Sequence, residues 1–448
     1  MWFMGKKKGG ASARAVRSHR SKREVPEPPA EQSNQQNQPD LNQEPSTPPP
    51  EAVQDETTLA YKQVDRQLTQ HMWYHGLIPR KEVEDMLKIQ GDFLVRKTTV
   101  AKQIAYCLSV RHVSDSKHVP LGFDIKTGIW TLKDLSKPTL GELIDELHTK
   151  AKPIPPSGAI IKNPIYRPDY YFLHEHVTIL KKLGHGEFGE VNLGKLITKN
   201  GEEIECAVKM LRGTKIKKAQ LSAFFEEAKL MRRFDHPNIV RFYGVAPQEE
   251  PIMIILELAS GGSLKSYCKN HPNISSTKLL QFATDNLHLR TELNQVIHRD
   301  LAARNCLLGK HDELKISDFG LSIADKTEMK LDKLKSVPIK WLAPETLRQG
   351  LFSTKTDVWS FGVLLWEIFS QCSSDPFPGE TNAKAKEHIL NDPMPMAAPP
   401  GSPAIVQEVM TACFARTPEE RADFVTVLKM FAPNEQPPTV QVGQFQTY

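Results

Sequence analysis

Residues 298–320 read HRDLAARNCLLGKHDELKISDFG. Asp300 offers a carboxylate that can take up a proton. Asn305 and Asp318 offer an amide oxygen and a second carboxylate, hard donors of the kind a Mg²⁺ ion prefers. An Asp-Phe-Gly triplet alone means little. It gains weight from what stands around it in order: LGHGEFGEV at 183–191, CAVK closing on Lys209, the apolar-faced helix pattern FFEEAKLM at 224–231, and VPIKWLAPE at 337–345.

The glycines of 183–191 would let backbone amides approach phosphate oxygens without a Cβ in the way, and Val191 can roof a flat base. Dinucleotide-binding loops share the GxGxxG spacing but open a helix. Here VNLGKLI and IECAVKML follow, two strand patterns, which favours a glycine-rich hairpin over a nucleotide-dependent oxidoreductase. Lys209 alternates with apolar residues, so its charge should point into a cleft. Glu227 is its natural counter-ion, with adjacent Glu226 an open alternative, and a lysine lying along the surface is the plainer use of Lys209 by itself.

With 448 residues, 39% hydrophobic and 25% charged, the chain has room for two or three ordinary domains. Its net charge of +5 is mild, and no basic stripe with interleaved aromatics runs through the folded part, so nucleic acid is not expected as a partner. The six cysteines are scattered without CxxC spacing and read as reduced thiols of a cytosolic protein. No apolar run is long enough to span a bilayer, and MWFM is too short for a signal peptide; a cytoplasmic location is expected.

Residues 1–70 read as a disordered tail, with order beginning near Trp73. Lys6, Lys7, Lys8, Arg14, Arg17, Arg20, Lys22 and Arg23 make its head basic, and the Pro/Gln-rich stretch 26–60 contains no Lys or Arg. The head reads first as a solvated tail and second as a weak contact for anionic membrane at the cell periphery or for a nuclear-import receptor. Residues 71–155 alternate helix and strand patterns as one compact module. A Pro-rich linker at 156–176 then leads to a larger domain at 177–431, strand-rich first and helical later, before a short tail at 432–448.

Phe93-Leu94-Val95-Arg96 puts an arginine inside an apolar strand, where an unpaired guanidinium is costly. An internal salt bridge would answer that cost. However, Thr98 and Thr99 follow as hydroxyl donors and Arg80 opens the preceding helix, a set better suited to a phosphate dianion than to one carboxylate.

WYHG at 73–76, FLVR at 93–96 and YCLSV at 106–110 resemble a Src-homology-2 (SH2) domain, and residues 177–431 resemble a protein kinase. The implied fold class is α+β: an SH2 module, with a central antiparallel sheet flanked by two helices, followed by a bilobal kinase domain. The SH2 resemblance implies phosphotyrosine binding by Arg96, with Arg80, Thr98 and His118 around the same group. The kinase resemblance implies ATP and Mg²⁺ as cofactors. It assigns Asp300 to accepting the substrate proton, Asn305 and Asp318 to Mg²⁺, and Lys209, paired with Glu227, to the α/β-phosphates, with Arg304 beside them in the catalytic set. The nucleotide site it implies comprises Leu183, Gly184, His185, Gly186, Glu187, Phe188, Gly189, Glu190, Val191, Ala207, Leu256, Glu257, Leu258 and Leu307. Glu345 would pair with Arg421, and Asp357 would brace the catalytic loop.

Ala302-Ala303-Arg304 stands where serine/threonine kinases commonly carry lysine, and Val337-Pro338-Ile339-Lys340-Trp341 looks like the platform for a phenol ring. The whole therefore resembles a Fes/Fer-type non-receptor tyrosine kinase without that family's long membrane-bending region. Tyrosine-phosphorylated proteins are the implied partners of the SH2 module, and protein tyrosines the implied substrates. The rival reading is a kinase-shaped scaffold that binds phosphotyrosine without turnover. Four features depart from the family pattern: Pro120 after His118, the segment 282–297 with Leu287, Leu289 and Leu293, Phe414 in place of Trp, and Ala422 in place of Pro. The loop 318–345 holds no tyrosine. Glu328 occupies the place of the family's phosphorylated residue, either as a partial mimic reaching Arg299 or as a solvated glutamate; Thr327 and Ser336 are further candidates for control.

Overall fold

The computed structural model describes residues 56–100, 103–186, 189–211, 216–293, 295–334 and 337–434. The basic head and most of the Pro/Gln-rich tail, Glu187, Phe188, Ser336 and the last residues lie outside them.

Contrary to the expectation of a disordered tail through residue 70, Glu56–Leu68 form helix α1. It packs on a sheet of β1 (Tyr74–Leu77), β2 (Asp92–Val100), β3 (Gln103–His112), β4 (Asp115–Phe123), β5 (Trp130–Leu132) and β6 (Leu135–Lys137), joined in that order, with β7 (Asn163–Pro164) added beside β2. The pairings from β2 to β6 are antiparallel, while β1 and β7 run parallel to β2. The two-residue period of β2 decides what each face does. Phe93 and Val95 pack with Leu140, Leu143, Ile144 and Leu147 of α3 (Leu140–Thr149). Leu94 packs with Val83 of α2 (Arg80–Met86) on the opposite face, which Arg96 shares.

A five-stranded antiparallel sheet follows, ordered β11-β12-β10-β9-β8: β8 (Val177–Gly186), β9 (Gly189–Ile197), β10 (Glu203–Leu211), β11 (Phe242–Ala246) and β12 (Ile252–Glu257). Helix α4 (Lys218–Met231) covers one face. Cys206, Val208 and Met210 of β10 fill a core on one side; Leu211 joins the cluster under α4 on the other, the side to which alternation directs Lys209.

That cluster is shared between the two modules. Leu77, Ile78, Val83, Leu87 and Leu94 meet Leu221, Phe224, Phe225 and Ala228 of α4, with Tyr171 from the linker between them. Each such side chain contributes about 1.5–3 kcal/mol on full burial. Lys81 bonds Glu226 at 2.7 Å, and Lys229 bonds Asp85 across the same seam. Gly76 lies against Pro247, where a Cβ would sit 2.2 Å from the carbonyl oxygen at a φ of +75°, so the glycine of WYHG is what permits the contact.

The larger lobe contains β13 (Gly262–Ser263), α5 (Leu264–Asn270), α6 (Ser276–Glu292), β14 (Val296–Ile297), β15 (Cys306–Leu308), β16 (Leu314–Ile316), β17 (Ile323–Ala324), β18 (Glu328–Lys330), α7 (Pro344–Gln349), β19 (Leu351–Ser353), α8 (Thr354–Phe369), α9 (Asn382–Asn391), α10 (Ala404–Cys413) and α11 (Phe424–Phe431). Its core centres on α8, whose residues from Thr356 to Phe369 are all buried. The unusual segment 282–297 keeps helical order to Glu292: Leu287 and Leu289 join the core, and Leu293 packs at its edge. Phe414 is buried edge-on to Trp359, with ring centroids 4.9 Å apart.

Candidate active site and phosphate pocket

Lys209 Nζ donates to both oxygens of Glu227, at 2.7 and 2.9 Å, and lies 3.3 Å from Asp318 Oδ1. The alternative counter-ion, Glu226, instead faces Lys81. Burial alone would lower the Lys209 ammonium; the charges of Glu227 and Asp318 outweigh it and hold the group above its ordinary value. The ammonium is thus kept charged although Lys209 is buried.

Asp318 adopts φ 60°, ψ 68°, a left-handed conformation that Asp tolerates better than most residues. This turns Phe319 into the core, between Phe234 and His298, with centroid separations of 5.4 and 5.2 Å. On the opposite wall, Asp300 is gripped by Arg304 and accepts from Asn305 Nδ2 at 2.7 Å. The same amide nitrogen donates to the Asp300 carbonyl, which leaves Asn305 Oδ1 as the atom that could ligate a cation. With Asp318 it would supply a pair of hard oxygen donors of the kind Mg²⁺ takes when phosphates and water complete its shell. The donor chemistry fits that ion and ATP.

The catalytic loop is tied from beneath. Asp357 accepts from the backbone amides of His298 and Arg299, at 2.6 and 2.9 Å, and from Arg290 Nη2 at 2.6 Å. Burial raises its carboxyl, and the charge of Arg290, fully buried itself, acts against that rise together with the two amides. Arg290 escaped the sequence reading. Glu345 and Arg421 form the expected fork, at 2.6 and 3.1 Å.

Arg304 also lies over the Trp341 ring, 4.5 Å from its centroid, and Trp341 Nε1 donates to Glu367, which receives the Ala303 amide as well. The AAR and VPIKW stretches are therefore one assembly, from which Arg304, Val337 and Pro338 line a cleft of about 850 Å³ with Asp300, Asp318, Leu331 and Lys333. Of the nucleotide-site residues, Ala207 and Leu256 are cross-strand partners. Gly184 pairs with Val191, His185 with Glu190 and Gly186 with Gly189 in the hairpin, and Leu307 lies in β15. Leu183 is exposed on β8, Glu257 closes β12 and Leu258 follows it. Glu187 and Phe188 lie outside the described residues.

In the first module, Arg96 Nη1 donates to the Ile78 carbonyl at 3.1 Å, while its buried Nε has no partner. An orphaned guanidinium donor calls for an anion. Arg80 and His118 both lie within electrostatic reach of the Arg96 guanidinium, with no direct bond between Arg80 and Arg96. Arg80 binds Glu84 Oε1 at 2.6 Å, the oxygen that also lies 3.4 Å from His118 Nε2; His118 Nδ1 meets Ser109 Oγ at 2.9 Å. Glu84, missed in the sequence, joins Arg80 and His118 beside Arg96. Thr98 is half-buried on the same strand, and Pro120 lies in β4 opposite Cys107. Arg96→Ala should weaken binding of a phosphotyrosyl peptide by about 100-fold or more, with the unphosphorylated peptide as the control, in a titration calorimetry measurement.

Glu328 is exposed on β18 opposite Ser353, and among the described residues no hydrogen bond or ion pair joins it to Arg299. Arg299 donates to the Leu321 carbonyl at 2.9 Å and stacks over Phe352 at 4.4 Å. The mimic reading is thereby corrected: the basic group it needed is directed elsewhere.

A family model described as protein tyrosine and serine/threonine kinase matches residues 177–431, and one described as the SH2 domain matches 73–147. Fer-related kinase 1 of Caenorhabditis elegans is 39% identical over 365 residues, covering 80% of this chain and 92% of that protein. Tyrosine-protein kinase Fer of Mus musculus is 40% identical over 367 residues, covering 80% of this chain and 43% of its own length. The transforming protein Fps of Fujinami sarcoma virus is 36% identical over 373 residues, with 82% and 41% covered. The chain spans less than half of those last two proteins.

Proposed function

This chain belongs to the SH2-containing protein tyrosine kinases of the Fer and Fps type, and from that premise we propose the roles of its residues. Asp300 accepts the hydroxyl proton of a protein tyrosine as the γ-phosphoryl group of ATP passes to the phenol oxygen. Lys209, held by Glu227, neutralises phosphate charge; Asn305 and Asp318 hold Mg²⁺. Rate enhancement then comes from positioning and charge compensation. The observation that carries the tyrosine assignment is the Arg304 guanidinium stacked on Trp341 while it grips Asp300, a rigid flat wall beside the base.

Arg96 recruits tyrosine-phosphorylated proteins, bringing their further tyrosines to the cleft. Among the described residues no helix is long and apolar enough to cross a membrane. A cytoplasmic enzyme with weak contact between its basic head and anionic lipid is the location this reading favours. The test is phosphate transfer from Mg-ATP to matched peptides presenting tyrosine or serine. The tyrosine peptide should be the better substrate by at least about 100-fold in kcat/KM; equal rates would remove the tyrosine assignment.

A further inference from the structure

The segment from Asp318 to Glu345 contains no tyrosine, yet its first half is fixed against both lobes. Asp325 is the point where these restraints meet. Arg233 Nη1 and Nη2 grip its two carboxylate oxygens at 2.7 and 2.9 Å. Its backbone amide donates to the Gln295 carbonyl at 3.1 Å, next to β14, which pairs with β17 just before Asp325. Its φ is +61°, a conformation that Asp adopts more readily than most side chains. Farther along, β18 pairs with β19.

We propose that the Arg233–Asp325 ion pair is a built-in latch that positions the activation segment, so that Arg233 and Asp325 are positioning residues for phosphoryl transfer and the segment is set without a phosphate on it. The proposal rests on the kinase reading above and goes beyond it. Its logic is geometric. Arg233 stands two residues past the end of α4, the helix that carries Glu227, and immediately before Phe234, which packs on Phe319. Asp325 stands seven residues past Asp318. The bidentate fork therefore closes a ring through Glu227, Lys209, Asp318 and Asp325 back to α4, fixing both carboxylates that meet the Lys209 ammonium. A parallel two-bond fork resists rotation as a single contact does not, so it fixes direction even where solvent weakens its charge attraction. An aspartate carries its charge from synthesis onward. A phosphotyrosine must be added to acquire one.

The test uses the full chain, freed of phosphate by phosphatase and checked by mass spectrometry, acting on a tyrosine peptide with Mg-ATP. Arg233→Gln, which removes the charge and the fork with a shorter side chain, and Asp325→Asn, which keeps the side-chain size, should each lower kcat by about tenfold, through misplacement of a correctly composed site. Arg233→Lys, which keeps charge but not the fork, should fall between them and the parent. The double variant should be no slower than either single one, the mark of a shared interaction. Phosphopeptide affinity and melting temperature should stay at the parental values, which a merely structural role would not allow. Single variants within twofold of the parent, or losses that multiply in the double variant, would overturn the latch while leaving the kinase reading intact. A parent inactive on the tyrosine peptide would instead defeat the kinase reading, and the latch with it.

Discussion

Asp300→Asn should lower kcat for tyrosine phosphorylation by about 10³-fold, within the range expected for loss of a positioned general base, and leave the KM for ATP within about twofold. The expectation follows from what surrounds the carboxylate. Arg304 and Asn305 Nδ2 both donate to it, so the site is built around two acceptor oxygens. An amide in the same volume offers only one acceptor and turns a donor toward one of those groups. The variant thus loses the proton acceptor and misaligns what remains, while Lys209, Glu227 and the glycine-rich hairpin are untouched. Radiolabelled phosphate transfer to a tyrosine peptide measures the rate, and nucleotide titration measures the binding. Parent and variant at equal rates would favour the scaffold reading, in which the kinase-shaped domain binds without turning over.

The chemistry of the site was legible in the sequence because each reacting group is confined to very few residue types. A base, a cation ligand and a charged amine in a cleft leave little choice at Asp300, Asn305, Asp318 and Lys209, and strand period supplied the direction of Lys209 and Arg96. Supporting groups are less restricted. Arg290 sits on a helix whose pattern shows only a polar residue among leucines; that it lies under the catalytic loop follows from the burial of Asp357, a tertiary fact. Glu84 looks like any helix-surface acid until Arg80 and His118 are brought to it. For Glu328 the sequence left two readings, a partial mimic and a solvated glutamate, and its exposure on β18 agrees with the second. Its position, counted from Pro338, suggested a charge facing Arg299, but the hydrogen bond of Arg299 to Leu321 and its stacking on Phe352 are set by the fold.

Helix α1 was missed for a related reason. ETTLAYKQVDRQL is polar on average, its apolar stripe confined to Tyr61, Val64 and Leu68, and a stretch without Lys or Arg precedes most of it, so composition alone argued for tail. What orders the helix is a buried polar knot at Asp65. Its carboxylate accepts from Tyr74 at 2.8 Å, Tyr106 at 3.0 Å and Lys97 Nζ at 2.6 Å, with Asp65 and Lys97 both nearly sealed from solvent. Burial raises the Asp65 carboxyl even with these donors present, so the charged pair is held at a cost rather than as a large net gain. Breaking it from one side is much worse. Asp65→Ala strands the Lys97 ammonium and two phenol hydroxyls in a closed space, and should destabilise this module by about 3–5 kcal/mol. In thermal unfolding of the full chain, its transition should fall by about 10 °C or more. Replacing both charges, as Asp65→Ala with Lys97→Met, should recover much of the loss because no buried ion is left unpaired. Were the single and double variants equally unstable, the damage would come from lost α1 packing instead, and the knot would not be what holds the helix on the sheet.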